Sequence, residues 1–89
     1  MERREIYYSG RVQGVGFRYT TLQIASRFNV TGFVENLPDG RVHLVAEGRS
    51  DELDHFTRML GERLELYISA TQETHGPAAG NFSGFTIRG

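Results

Sequence analysis

The chain has 89 residues, a net charge of −1, 24% charged residues and no cysteine, which suffices for one domain (1–89) with a single core and excludes disulfides, thiolate metal sites and cysteine nucleophiles. The balanced charge argues against a broad nucleic-acid footprint, and the absence of lysine removes Schiff-base chemistry and the lysine of a Walker-type nucleotide loop. No apolar run approaches the roughly 20 residues that span a bilayer, and Met1-Glu2-Arg3-Arg4 leads into no signal-peptide core, so a cytoplasmic monomer with no membrane or nucleic-acid partner is expected.

In chain order, Ile6, Tyr8, Gly10 and Val12 alternate with Tyr7, Ser9 and Arg11, the two-residue period of a strand with one buried face. The stretch Gly10-Arg11-Val12-Gln13-Gly14-Val15-Gly16-Phe17-Arg18-Tyr19 then bridges this strand to a run that reads as a helix, Thr20 to Asn29. Glycines at such a turn let successive N–H groups point into one concavity, and the helix adds the positive end of its dipole, so a phosphate could bind there. Arg18 would supply a permanently charged fork at the rim. Leu22, Ala25 and Phe28 recur at helical spacing, with Gln23, Ser26 and Arg27 facing away. Asn29 could close the helix in the left-handed conformation.

Val30 to Asn36 and Arg41 to Glu47 read as two strands joined by Leu37-Pro38-Asp39-Gly40. Proline presets φ and glycine takes positive φ, so the pair forms a hairpin. A second helix begins near Ser50, which could cap it, carries Asp51 and Glu52 in its first turn and is stopped by Gly61. Leu53, Phe56, Leu60 and Leu64 form its apolar stripe. A weaker alternation over 64–73 suggests a fourth strand, 73–81 reads as a loop, and 82–88 as a short last strand. The order β-α-β-β-α-β, plus a terminal strand, predicts an α+β fold, a split β-α-β arrangement with a mainly antiparallel sheet and both helices on one face. Strands one and two are then parallel with strand three between them. Their carboxyl ends share one edge, which lets Asn36, on the helix-covered face, look toward the glycine loop.

The blocks Gly10 to Arg18, Thr31-Gly32-Phe33-Val34-Glu35-Asn36, Asp39-Gly40-Arg41-Val42 and Phe82 to Arg88 resemble the acylphosphatase family over nearly the whole chain. The resemblance implies a ferredoxin-like sandwich of four to five strands and metal-free hydrolysis of the carboxyl–phosphate bond of small acyl phosphates, with no cofactor and with inorganic phosphate as product and inhibitor. It places the catalytic arginine on Arg18, the catalytic asparagine on Asn36, and the phosphate cradle on Gln13, Gly14, Val15, Gly16, Phe17 and Arg18. The chain departs from the family pattern at Phe33, where tryptophan is common, at Glu35, where a basic residue is common, and over 65–80, which matches poorly. Glu35 should point away from the site by alternation.

An acyl phosphate is an activated anhydride, so an enzyme mostly has to position the phosphoryl group and stabilise its charge. A neutral amide at Asn36 can hold an attacking water by accepting and donating hydrogen bonds without repelling the phosphate. Blander readings stand beside these: a tight turn, a surface arginine, a turn asparagine. His43, His55 and His75 fall at no metal-ligand spacing. The competing function is binding without turnover. Tyr7, Tyr8, Phe33 and Phe85 suit an RNA-stacking sheet of the same shape, against which count the absence of an aromatic in Arg41–Gly48 and the slightly acidic chain, and a small-ligand regulatory domain is the other form.

Overall fold

The computed structural model describes residues 1–89. Its first strand, β1 (Glu2–Gly10), buries Arg4, Ile6 and Tyr8 on one face, as the alternation requires. Helix α1 (Phe17–Ala25) follows the glycine loop, then strands β2 (Val30–Asn36) and β3 (Val42–Gly48), helix α2 (Ser50–Arg63), a short 3-10 turn over Glu65–Tyr67, and strands β4 (Ile68–Pro77) and β5 (Phe85–Arg88). The five strands form one sheet in the order β4-β1-β3-β2-β5. All pairings are antiparallel except β2 with β5. Ile6, Tyr8, Val34, Val42, Leu44 and Ala46 of the sheet share one core cluster with Phe17, Ile24 and Ala25 of α1 and Leu53, Phe56 and Leu60 of α2. No helix is long and apolar enough to cross a membrane.

The expected β1-β3-β2 arrangement is present, and Tyr8 and Asn36 both pair with Val42. Asn36 therefore lies in the same row as Tyr8, two residues before the glycine loop begins. The hairpin closes by Leu37 N–H donating to Arg41 O and Gly40 N–H to Leu37 O, and the Asp39 carboxylate accepts from both the backbone and the side chain of Arg41. One glycine is dictated by space: at Gly32, φ 141°, a Cβ would lie 1.9 Å from Val45 O.

Several boundaries differ from the sequence reading. Helix α1 starts three residues earlier, at Phe17, so its buried stripe is Phe17, Thr21, Ile24 and Ala25, and Leu22 is only half-buried. The Thr21 hydroxyl donates to Phe17 O, which lets a polar side chain sit inside. The helix also ends earlier. No residue other than glycine has positive φ, so Asn29 is not a left-handed cap. Its N–H donates instead to Glu52 of α2 at 2.7 Å. In α2 the flanking residue is Arg49, Ser50 makes no capping bond, and Gly61 lies inside the helix. Burial of Leu60 and Leu64 carries the helix past the glycine.

The 65–80 region departs most. Leu66 is exposed rather than alternating inward, and β4 runs to Pro77 because the backbone of β1 is there to pair with it from Gly10 back to Glu2. Most of β4 is exposed, since it is an edge strand. From this edge the chain must cross the whole sheet to reach β5 on the other. It does so over the face the helices leave bare. Glu47 on β3 accepts the N–H groups of Ala79 at 2.9 Å and Gly80 at 3.0 Å, and Phe82 packs on Phe33.

Candidate active site

Gly14 and Gly16 have φ of 78° and 79°, values that cost an L side chain strain even though open space surrounds both. Gly16 is the residue that flanks the amino end of α1. These two left-handed residues turn the loop so that the side chain of Phe17 enters the core and that of Val15 packs against it, while Gly14 and Gly16 stay exposed. Thr20 N–H makes the first helical bond, to Gly16 O. None of the backbone N–H groups from Gln13 to Tyr19 donates to a backbone carbonyl. A run of free donors at a helix amino end is an anion-binding arrangement.

The loop is held against the hairpin by Gln13, whose side-chain amide donates to Leu37 O at 2.9 Å and Arg41 O at 3.0 Å. That places Gln13's side chain in the scaffold, outside the hollow. At the other end of the loop, Arg11 N–H donates to Tyr67 O. The loop is thus tied to the hairpin on one side and to the turn after α2 on the other.

Between the loop, the end of β2 and β5 lies a hollow of about 230 Å³ lined by Val12, Gly14, Gly16, Phe17, Arg18, Tyr19, Asn36 and Ile87. Of the residues expected from the sequence, Gly14, Gly16, Phe17, Arg18 and Asn36 meet here, while Gln13 and Val15 do not line it. Val12, Tyr19 and Ile87 were not anticipated. Arg18 is half-buried and its Nη1 donates to Gly89 O at 2.9 Å, which aligns the guanidinium along the edge of β5. Asn36 Oδ1 is the one buried side-chain nitrogen or oxygen without a hydrogen-bond partner. Buried acceptors in native proteins are almost always paired, so an acceptor with no protein partner, in a hollow beside an arginine, suits a bound water or ligand.

A larger depression, about 340 Å³, separates α2 from β4. It gathers Arg58 with Glu65 and Glu73. Burial, and then the nearby Glu73, push the Tyr8 phenol there above its ordinary value, so it offers no base. No three His, Asp or Glu side chains converge in a way that could hold a metal ion.

The outer sheet face holds the rings that an RNA-binding sheet would present, and they are already stacked. Arg41 lies over Tyr7 at 4.6 Å and Arg88 over Phe33 at 3.8 Å, and His43 stacks on Tyr7. Both nitrogens of His43 contact carboxylates, Glu35 and Glu5, at 2.8 Å. Glu35 accordingly faces away from the hollow, as its alternation predicts. Tyr8 and Phe85 lie on the helix side, against Phe17 and Phe56.

The chain is similar to known proteins over nearly its whole length. An acylphosphatase from Methanospirillum hungatei is 50% identical over 99% of this chain and 98% of its own length, and one from Rubrobacter xylanophilus is 41% identical over 98% and 80%. The crystal structure of an acylphosphatase from Bacillus subtilis superposes with a TM-score of 0.89 at 30% identity, covering 99% of both chains. The family model described as Acylphosphatase matches residues 4–87, and the chain belongs to that family.

Proposed function

We infer that the protein is an acylphosphatase that hydrolyses the carboxyl–phosphate bond of small acyl phosphates, with Arg18 and the loop backbone holding the phosphoryl group and Asn36 holding the water. The observation that carries this reading is the meeting of three things in one hollow: free N–H donors, a guanidinium, and a buried amide oxygen with no partner in the protein. The donors and Arg18 match the charge on the phosphoryl oxygens, which is where stabilisation counts in this reaction. Asn36 Oδ1 accepts a hydrogen bond from the water, whose oxygen is thereby aimed at phosphorus. The new bond forms between that oxygen and phosphorus, and the phosphorus–acyl oxygen bond breaks with its electron pair leaving on the carboxylate. The water's proton passes to a phosphoryl oxygen. No carboxylate or imidazole lines the hollow, and a carboxylate leaving group requires no general acid.

The test is steady-state hydrolysis of acetyl phosphate by the purified chain in excess chelator. Turnover that survives chelation is expected. Loss of turnover with rescue by Mg²⁺ would overturn the metal-free assignment, and no turnover under either condition would overturn the enzyme.

A further inference from the structure

Two of the large apolar side chains that the fold leaves exposed, Tyr19 (62%) and Ile87 (39%), stand at the same hollow. Tyr19 comes from the first turn of α1, one residue after Arg18. Ile87 comes from β5 and pairs with Val34 of β2, which puts it on the helix side of the sheet. Neither is explained by the core. We propose that Tyr19 and Ile87 form the seat for the acyl group of the substrate and select flat or branched apolar acyl phosphates, aryl ones above all. The proposal rests on the acylphosphatase reading of the hollow.

Three observations lead there. First, Tyr19 and Ile87 line the hollow yet remain exposed, so they stand at its mouth, where a group extending outward from the bound phosphoryl group would meet them. Second, Asn36 Oδ1 is buried, so a water on it sits deep. An in-line displacement puts the leaving group on the far side of phosphorus from that water. The acyl oxygen therefore leaves outward, toward the exposed pair. Third, Arg18 is the only charged residue in the lining and is committed to the phosphoryl group. An acyl group carrying its own carboxylate or phosphate meets no second cation there, whereas an aromatic ring meets a tyrosine ring and a branched aliphatic.

The experiment compares kcat/KM for benzoyl phosphate and acetyl phosphate in the wild type and in Tyr19→Ala, Ile87→Thr and Tyr19→Phe. Because the two substrates differ in intrinsic reactivity, the readout is the benzoyl-to-acetyl ratio of each variant relative to wild type. Tyr19→Ala and Ile87→Thr should each lower that ratio about 3- to 10-fold, the scale of one aromatic or apolar contact, mainly through KM for benzoyl phosphate. Tyr19→Phe should keep it. Inhibition by inorganic phosphate, which has no acyl part, should change less than about twofold. An unchanged ratio in both Tyr19→Ala and Ile87→Thr would overturn the seat while leaving the activity standing. Failure of the wild type to hydrolyse either compound would overturn the activity itself, and the seat with it.

Discussion

At the scale of single residues, Asn36 carries the strongest chemical signature. Its amide oxygen is buried without a partner, although Asn36 also ends β2, where a turn residue would be unremarkable. The two roles make different predictions. If Asn36 orients the attacking water, Asn36→Ala should lower kcat by about 10²-fold or more, as removal of one positioned polar group does, with a small change in phosphate inhibition. Asn36 Oδ1 has no hydrogen-bond partner within the protein, so the substitution breaks no protein hydrogen bond there and thermal stability should change little. A folded variant with near-normal kcat would return Asn36 to the turn. The sequence made Arg18 and Asn36 legible because one lies in a contiguous motif and the other follows from strand alternation. Tyr19 and Ile87 were not legible. Their adjacency depends on β5 pairing in parallel beside β2, a fact of topology that no local pattern records.

At the scale of elements, the helices and the β2–β3 hairpin followed from periodicity and turn chemistry, and the 65–80 region did not. The alternation there included Leu64, which closes the core beneath α2, and Leu66, which faces solvent. What sets β4 is its ladder to β1, and what orders the crossing after it is Glu47. Burial alone would raise the Glu47 carboxyl, but the N–H groups of Ala79 and Gly80 together with Arg3 outweigh it and hold it below the usual glutamate range. A group whose pKa is lower folded than unfolded contributes stability above its unfolded value, about 4.3, and loses that contribution as pH falls through the folded value. Glu47→Gln should therefore lower stability at pH 7 by about 1–2 kcal/mol, since hydrogen bonds to charged groups are worth about 1.5–3 and the amide retains one acceptor. That corresponds to a fall in Tm of about 4–16 °C for a domain of this size. Thermal melts of both proteins from pH 7 to pH 3 check it: the curves should converge at acid pH. A constant gap across the range would mean that the charge of Glu47 is not what anchors the crossing.

At the scale of the whole molecule, the sheet order brings the site together. β3 lies between β1 and β2, so the glycine loop at the end of β1 and Asn36 at the end of β2 open at one edge, and β5 closes that edge from the side. The loop is tied into this frame, with Gln13 bonded to the hairpin and Arg11 to Tyr67. We propose this frame as an anion site centred on Arg18. Inorganic phosphate resembles the transferred group, and only the folded chain has the cradle, so phosphate should stabilise by mass action. At ten times its dissociation constant it adds RT ln 11, about 1.4 kcal/mol, or a rise in Tm of roughly 5–11 °C. Arg18→Gln keeps similar reach without the charged fork. Phosphate also stabilises proteins by exclusion from their surfaces, and this general effect is shared by both proteins and cancels in the comparison. The most direct measurement is the difference in phosphate-induced Tm shift between wild type and Arg18→Gln at one phosphate concentration. The variant should fold and lose most of the shift, and equal shifts in the two proteins would mean that Arg18 does not hold phosphate.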